Sequence, residues 1–325
     1  MANLAAFVVR RLLAMIVLSF IIVTVVFFLA HATPYDPIRI LLGQRATGYN
    51  VRLLRHKYGL DLPLYQQYFN YLGGLLHGNL GYSEEQASLG DPVWSLLQTR
   101  VPVTLKLGFY ALVLSLLIGL PIGLISALKQ NTLIDHIGQG TMIILYVVPA
   151  FVLCPISQLF FGDVLHWLPV YGWGDGGWAL GGLIPIGQSF KEAILPVSIY
   201  TAGLAGFFSK SFRSFMLEVL RQDYVRTARA KGLKNRVVIY THAVKNTLLP
   251  LASIVGPTIA FLIVGAFIIE FFFGIPGIAG FTVQSVINSD FAVIEATTLM
   301  LAIFVIVINM LTDIFYAMVD PRVRL

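Results

Sequence analysis

Long apolar runs recur along the chain and are separated by shorter polar connections. A bilayer core about 30 Å thick is crossed by about 20 mainly apolar helical residues, and six stretches approach that length. We place these six predicted spans at about 12–30, 105–128, 142–165, 193–208, 248–269 and 297–318. The first holds no Asp, Glu, Lys or Arg and is too long for a cleaved signal peptide. The pattern therefore predicts an all-α integral membrane protein with six transmembrane helices.

Proline and glycine predict irregularities inside two of the spans. Gly119, Pro121 and Gly123 indicate a kink in the second span, because proline removes a helical hydrogen bond and glycine adds backbone freedom. Pro149 and Pro155 are expected to break the third span for the same reason.

Composition excludes a soluble globular domain. The 325 residues are 57% hydrophobic and 12% charged, whereas soluble domains carry about 25% charged residues. Because so few charges cannot cover a surface of this size, much of that surface must face lipid. A disulfide scaffold is excluded as well, since Cys154 is the only cysteine and its apolar surroundings indicate a small buried side chain.

The basic residues predict the orientation of the spans. Arg10 and Arg11 precede the first span, and Arg322 follows the sixth. Residues 210–245 are rich in Lys and Arg, whereas 273–297 contain neither. Because short cytoplasmic loops carry the excess of Lys and Arg, we expect both termini and 210–245 in the cytoplasm. The net charge of +6 is explained by this orientation, so no nucleic-acid partner is expected.

The spans and their connections predict four parts of the chain. Residues 1–33 form the first transmembrane helix with a cytoplasmic N-terminus, and 34–100 form a small helical extracytoplasmic segment. Residues 101–318 form a core of five transmembrane helices with a cytoplasmic coupling loop at about 210–246. Residues 319–325 form a cytoplasmic tail.

The extracytoplasmic segment is predicted to contain a helix with an aromatic face. Tyr65, Tyr68, Phe69 and Tyr71 are spaced to lie on one side of that helix. The Gly-Asn-Leu-Gly sequence at 78–81 is expected to end it.

Motifs for several catalytic classes are missing from the sequence. No G-x-x-x-x-G-K-[ST] phosphate loop and no H-E-x-x-H occurs, and the six histidines lack ligand spacing. We therefore expect no catalytic, cofactor-binding or metal-binding residues in this chain. Residues 172–175 read Gly-Trp-Gly-Asp, like the G-x-G-D of intramembrane aspartyl proteases, which need two facing carboxylates. Since Asp175 lies in a loop without a second membrane Asp nearby, a Trp/Gly turn at the membrane interface is the better interpretation.

Charged residues close to the spans are candidates for a transport pathway, because a charge in lipid is costly. Glu270 ends the fifth span, and Asp313 lies within the sixth. The fifth span also holds Gly256, Pro257 and Gly265, which allow a bend or a close approach of another helix. We interpret these five residues as a possible pathway or gate; interface anchoring is the alternative.

An amphipathic helix is predicted to continue out of the fourth span. Its apolar residues follow the i, i+3, i+4, i+7, i+8 spacing of one helical face. They are Phe212, Phe215, Met216, Val219 and Leu220.

A short basic helix is predicted to follow. Asp223 is the expected N-cap, and Gly232 is the expected C-terminal stop. Adsorption to anionic lipid is one interpretation of such a helix. However, Thr227, Ala228 and Ala230 are small side chains that allow another protein's backbone to approach, so docking to a partner protein is favoured.

Several short motifs occur together over nearly the whole chain. They are DYVRTARAKGL at 223–233 with NTLLP at 246–250, YGLDLPLY at 58–65 with GNLGYS at 78–83, FGIPGI at 273–278, DF at 290–291, and NMLTD at 309–313 leading to DPR at 320–322. Together these motifs resemble the binding-protein-dependent ABC importer permeases, and in particular the B-type dipeptide and oligopeptide permeases.

This resemblance implies a type I ABC importer transmembrane fold in a bacterial or archaeal inner (cytoplasmic) membrane. It implies a non-catalytic subunit that pairs with a C-type permease subunit and two ATPase domains, either separate or fused. ATP and Mg would be bound by those partners and not by this chain. An extracytoplasmic substrate-binding protein would deliver a peptide substrate.

By the same resemblance, the helix around 224–233 would sit in a groove of the ATPase, with Arg226 and Arg229 in ion pairs. The residues expected to couple to the ATPase are Asp223, Tyr224, Arg226, Thr227, Ala228, Arg229, Ala230, Lys231, Gly232 and Leu233. The general family pattern has Glu-Ala-Ala at 226–228, where this chain has Arg-Thr-Ala. That departure resembles the peptide and nickel subgroup, so nickel, glutathione or another small cargo is an alternative to peptides.

Two other classes of function are weighed against an importer permease. A stand-alone secondary transporter or channel is disfavoured, because such proteins usually show internal repeats and midplane carboxylates. A membrane enzyme is disfavoured because the sequence offers no catalytic pair.

Overall fold

The chain is described here by a computed structural model that covers residues 4–32, 37–42, 46–83, 91–174, 177–180, 182–288 and 290–319. Asp175 and residues 320–325 of the predicted tail lie outside the described residues. The described residues belong to two units. The larger unit is built mainly from Thr104–Ile275 and also includes Ile308 onwards, and the smaller unit is built from Val8–Val103 and Pro276–Val307.

The described residues are mainly helical. The first helices are α1 (Leu4–His31), α2 (Pro37–Leu42), α3 (Gly48–Lys57), α4 (Leu64–Leu76), α5 (Val93–Leu128), α6 (Leu133–Val147) and α7 (Ala150–Ser157), which a π-helical segment (Gln158–Val164) extends. After the strands β1 (Trp178–Ala179) and β2 (Ile184–Pro185) come α8 (Gln188–Leu220), α9 (Asp223–Ala230), α10 (Asn235–Val237), a π-helical segment (Val238–Val244), α11 (Lys245–Phe273), α12 (Ile278–Ile287) and α13 (Phe291–Val319). The all-α prediction is correct except for β1 and β2, which form a two-residue antiparallel pair.

Five helices in the described residues are long and apolar enough to cross a membrane. Their qualifying ranges are Val9–Leu29, Val93–Leu128, Gln188–Leu220, Asn235–Phe273 and Phe291–Ile314. A sixth crossing results if α6 and α7 with its π-helical extension count as one span. The fold therefore agrees with the six predicted spans, although the helices extend well beyond the apolar runs that revealed them.

The third predicted span is sharply bent. The helical axes on either side of Val148 and Pro149 differ by 95°. Pro149 begins a new helix with an extended backbone, because proline has no N–H to continue the preceding hydrogen-bond ladder. Pro155 does not break the chain as predicted, since it lies inside α7. The kink predicted around Pro121 is also replaced by one continuous helix, α5.

Glycines bring α5 directly onto α8 in the larger unit. A Cβ at Gly119 would lie 2.7 Å from the carbonyl oxygen of Ala205, and one at Gly123 would lie 2.6 Å from that of Ser209. Both distances are too short for any side chain. Membrane helices associate largely through such close packing, because lipid provides no hydrophobic force between them. The glycines that suggested a kink therefore form a helix contact.

The contact between α6 and α8 also depends on a glycine that lets the two backbones approach closely. A Cβ at Gly206 would lie 2.3 Å from the carbonyl oxygen of Met142 and 2.7 Å from the Cβ of Tyr146. A side-chain hydrogen bond strengthens the contact, with Gln139 Nε2 donating to Ser209 Oγ at 3.0 Å. Together, α5, α6 and α8 form a tightly packed body.

The smaller unit has its own apolar core, formed where α5 begins and α13 begins. The buried members are Val93, Leu97, Val293 and Ala296. Asp290 caps α13 by accepting the backbone N–H of Val293 at 3.3 Å, and its other oxygen accepts the Ser83 hydroxyl at 2.5 Å. Two motifs that are 207 residues apart in sequence are therefore joined in this unit.

We predict that Gly206→Ala lowers the melting temperature of the purified protein, because the added methyl group must displace backbone atoms of α6. Overpacking of this kind costs about 1–3 kcal/mol. The matched control is Gly140→Ala, since a Cβ at Gly140 meets no atom within 4 Å. Equal melting temperatures for the two variants would contradict the close contact between α6 and α8.

Candidate functional site

The short basic helix predicted from sequence is present as α9, one residue away from its predicted cap. Its N-cap is Gln222, whose extended backbone places its carbonyl oxygen to accept the N–H groups of Val225 and Arg226. Asp223 is instead the first helical residue, and no side chain caps the helix. Its carboxylate lies 3.5 Å from Arg226, and a negative charge there complements the positive end of the helix dipole.

The C-terminus of α9 ends at Gly232, as predicted. Gly232 has a φ of +74°, a left-handed conformation that glycine adopts without steric cost. Its N–H donates to the carbonyl of Arg229 at 3.0 Å, and the N–H of Leu233 donates to that of Ala228 at 3.4 Å. These two bonds form the Schellman motif, which satisfies carbonyls that the end of a helix leaves without partners.

One side of α9 is fixed to the rest of the larger unit. Val225 and Ala228 are 0% and 5% exposed and pack against Val238, with Val219 and Leu220 of α8 half-buried around them. Ala228, whose small side chain suggested contact with a partner protein, is therefore buried against its own chain. Its small side chain lets α9 lie close to its own chain.

The opposite side of α9 is exposed. Asp223, Arg226, Thr227 and Ala230 follow i, i+3, i+4, i+7 spacing and face away from the buried pair. Tyr224, Arg229, Lys231 and Leu233 are exposed around them. The accessible surface of α9 is therefore basic, with small side chains at its centre.

A second apolar cluster joins α5 and the end of α8 to the π-helical segment that precedes α11. Its buried members are Ala127, Met216, Ile239 and Ala243. Because Met216 lies on α8 and Ala127 on α5, the cluster packs both long helices against that segment.

An ion pair next to this cluster was not found from sequence. Arg213 of α8 binds Asp135 of α6 with both carboxylate oxygens engaged, at 2.8 Å from Nε and 2.6 Å from Nη2. Asp135 also accepts the backbone N–H of Asn131 at 3.0 Å. Asp135 lies four residues after Asn131 of a polar turn, and no sequence pattern marks it. Its partner becomes visible only in the packing of α6 on α8.

Buried carboxylates lie at the other end of α8 and α11. Glu270 accepts the Thr104 hydroxyl at 2.6 Å, and Glu192 of α8 accepts the backbone N–H of Gly174 at 2.8 Å. Gln158 donates to the backbone carbonyls of Val170 and Phe272 at 2.9 and 2.8 Å. These bonds fasten the connection after α7 across the ends of α8 and α11.

The Gly-Trp-Gly turn at 172–174 lies against the carboxylate of Glu192. A Cβ at Gly172 would lie 3.0 Å from the Glu192 carboxyl carbon, and its φ of +116° is one that L side chains rarely adopt, so glycine is favoured where this loop passes over the buried carboxylate. Glu192 has no signal in the sequence, because it stands alone near the start of α8 and the Gly174 partner contributes a backbone group.

The structure separates the five predicted pathway residues. Pro257 and Gly265 line a cavity of about 710 Å³ among α6, α7, α8 and α11. Gly256 lies instead against α13, where a Cβ would be 1.9 Å from the Thr312 side chain. Glu270 is bound to Thr104, and Asp313 is half-buried on α13.

The cavity lies beside the bend of the third span. Most of its lining is apolar, with hydroxyl groups from Tyr146, Tyr200, Ser253 and Thr258. Gly265 makes room for Tyr200, whose hydroxyl donates to the carbonyl oxygen of Leu262. A cavity of this size and composition is typical of pockets that bind a ligand or a side chain of a partner protein.

Helical spans of this arrangement, with a short basic helix between two of them, are typical of a membrane permease. Residues 119–325 match the family described as binding-protein-dependent transport system inner membrane component, and residues 4–108 match the N-terminal component of such proteins. The chain belongs to this family of inner-membrane transport components.

Relatives of known function extend over almost the whole chain. It is 36% identical over 319 residues to the dipeptide transport system permease protein DppB of Lactococcus lactis, covering 98% of this chain and 99% of that protein. It is 35% identical over 321 residues to the oligopeptide transport system permease protein OppB of Escherichia coli, with the same coverage.

Solved structures share the fold. The methionine ABC transporter MetNI in an inward-facing conformation aligns with a TM-score of 0.57 at 18% identity, covering 71% of this chain and 100% of that chain. An amino acid ABC transporter aligns with a TM-score of 0.53 at 15% identity, covering 69% and 94%. The type I ABC importer fold predicted from sequence is therefore confirmed.

We predict that Asp135→Asn destabilises the protein, because it leaves the Arg213 guanidinium without its carboxylate in a largely buried site. Breaking such a pair costs about 3–5 kcal/mol when both partners are buried, and less here because Arg213 is 26% exposed. The melting temperature of the purified protein in detergent measures the loss.

The double variant Asp135→Asn with Arg213→Gln serves as the control, since it removes both charges. It should be less destabilised than the sum of the two single variants. Strict additivity would mean that the two side chains do not interact.

Proposed function

We propose that this chain is a permease subunit of an ATP-driven importer and carries peptides across the cytoplasmic membrane together with a second, C-type permease subunit. The observation that carries the proposal is α9, which is fixed by its inner side to the transmembrane helices and exposes a basic outer side. The named activities of the relatives in dipeptide and oligopeptide transport support peptide cargo.

The outer side of α9 suits a protein groove better than a lipid surface. Thr227 and Ala230 at its centre allow a partner backbone to come close, whereas a helix that adsorbs to lipid exposes large apolar side chains. Arg226 and Arg229 flank them and can bind carboxylates of the partner. We assign the partner as an ATPase, with two such domains, separate or fused, in the complete importer.

Force reaches the far end of the bundle through α8. This helix has 33 residues and is about 50 Å long at about 1.5 Å per residue. It packs against α9 through Val219 and Leu220 and is fixed to the far-end loop through Glu192. A tilt driven by the ATPases would therefore move both ends together and would carry α6, which is packed on α8, while the bend at Pro149 gives α7 a separate axis.

The pathway requires the second permease subunit. Peptide backbones are polar and need polar groups or water along their route, whereas the cavity beside the bend is mainly apolar. We therefore place the route between this chain and its C-type partner, with Pro257 and Gly265 giving α11 room to move. Selectivity is assigned to an extracytoplasmic binding protein, because a pore that accepts many side chains cannot fit any one of them closely.

We assign no catalysis and no cofactor to this chain, and ATP and Mg to the partner ATPases. The termini and α9 are placed on the cytoplasmic side because Lys and Arg concentrate there. The residues 34–100 are placed on the opposite side, where the binding protein docks.

Uptake by the reconstituted importer tests the proposal. Proteoliposomes that contain both permeases, with ATPases inside and the binding protein outside, should accumulate labelled dipeptides or oligopeptides only when ATP is present. Uptake of nickel or glutathione in preference to peptides would overturn the cargo assignment. Conductance by this chain alone in a lipid bilayer would overturn the importer assignment in favour of a channel.

We predict that Arg226→Glu combined with Arg229→Glu reduces ATP-dependent uptake more than tenfold while membrane insertion stays normal. Loss of one partner from an interfacial charge pair costs about 2–5 kcal/mol, and 1.4 kcal/mol corresponds to tenfold. ATPase copurification and uptake are the measurements. The control is Arg236→Glu, which changes an exposed charge of the same connection outside α9; an equal loss in this control would argue against a docking role for α9.

A second prediction concerns the end of α9. Gly232→Val should reduce coupling between ATP hydrolysis and uptake, because a left-handed conformation costs an L-residue about 1–2 kcal/mol and the Schellman motif would open. Gly232→Asn is the matched control, since asparagine tolerates this conformation. Similar coupling ratios for the two variants would show that the C-terminal geometry of α9 is unimportant.

A further inference from the structure

The helix α4 lies beside the end of α1 in the smaller unit. The Tyr68 hydroxyl is 2.6 Å from Thr24 Oγ1, and the Tyr68 ring is 5.2 Å from that of Phe27. Tyr71 is 5.5 Å from Phe27, and Gln67 Oε1 is 3.2 Å from His31 Nε2. The contacts pair 67 with 31 and 71 with 27, so α4 runs antiparallel to the last two turns of α1.

Those two turns belong to a candidate membrane span. The qualifying range is Val9–Leu29, and Val25, Phe28 and Leu29 on it are exposed apolar residues. Since lipid is the expected neighbour of exposed apolar side chains on a span, any element packed against these turns lies near the membrane boundary.

The composition of α4 suits that boundary. Its sequence, LYQQYFNYLGGLL, has 13 residues and no charged side chain. Tyrosine is enriched where a membrane meets water, because the ring is apolar and the hydroxyl is polar. A helix that projected into water to bind a soluble protein would normally carry charges for solubility.

Three large apolar or aromatic side chains of α4 share one exposed strip. Tyr65, Phe69 and Leu76 are 62%, 65% and 88% exposed. At about 100° per residue they fall within an arc of about 40°. Tyr68 and Tyr71 lie outside that arc, so the face that binds α1 and the exposed strip are different sides of the helix. The predicted aromatic face is therefore divided: Tyr68 and Tyr71 contact α1, whereas Tyr65 and Phe69 are exposed.

We propose that α4 is an interfacial membrane helix and that its strip of Tyr65, Phe69 and Leu76 contacts the boundary between lipid headgroups and acyl chains. By the antiparallel pairing of α4 with α1, the strip lies alongside the last turns of the span. Burial of such a face in the membrane follows from the free energy gained by removing apolar area from water. The inference is independent of the cargo and of the ATPase docking proposed above.

Spin-label accessibility in the assembled importer tests this inference. The background is Cys154→Ala, which removes the only cysteine, and labels are attached at Phe69→Cys and, separately, at Leu76→Cys. Phe69 has a matched control in Leu53→Cys on α3, since Leu53 is also exposed but lies among Arg52, Arg55 and Lys57. Leu29→Cys gives the reference for lipid. Collisions with O₂, which concentrates in lipid, are compared with those of NiEDDA, which stays in water.

The expected result is that the logarithm of the O₂ to NiEDDA collision ratio shifts in the positive direction at 69 and 76, toward the value at 29, and stays low at 53. Values at both 69 and 76 that match 53 would overturn the inference. Low collision with both reagents would also overturn it, because the strip would then be covered by protein. A label at position 69 that loses its collisions with both reagents only after the binding protein is added would assign the strip to that partner instead.

Discussion

The packing of Val225 and Ala228 of α9 against Val238 and the end of α8 is the contact that joins the short basic helix to the rest of the larger unit. A helix of eight residues is too short to be stable alone in water. The packing of its buried side therefore stabilises α9 as well as positioning it. It makes α9 part of a larger rigid body that holds the arginines of α9 on its exposed side.

That rigid body depends in turn on how closely the long helices approach one another. Gly119, Gly123 and Gly206 bring backbone against backbone, and Gln139 and Asp135 add polar bonds between α6 and α8. In lipid, close packing and hydrogen bonding hold helices together where no hydrophobic force does so. The bend at Pro149 is the contrasting element, because it interrupts α6 and α7 next to a cavity while α8 remains continuous.

The sequence by itself determined the membrane class, the number of spans, the basic helix and its stop at Gly232, and the family. These follow from properties that are local along the chain: the length of apolar runs, the spacing of apolar residues, and short motifs. Length and hydropathy suffice for a membrane helix because its backbone hydrogen bonds are all made within the segment. Orientation and the coupling residues remain sequence-based predictions.

Only the tertiary structure decided which residues meet. The glycines of α5 serve a contact with α8 instead of a kink, Ala228 faces inward, and Gly256 and Gly265 belong to different contacts. Asp135 with Arg213 and Glu192 with Gly174 had no signal in the sequence. Such pairs join residues 18 to 78 positions apart, and which side chains face each other depends on the rotation and crossing of whole helices, which a local pattern does not contain.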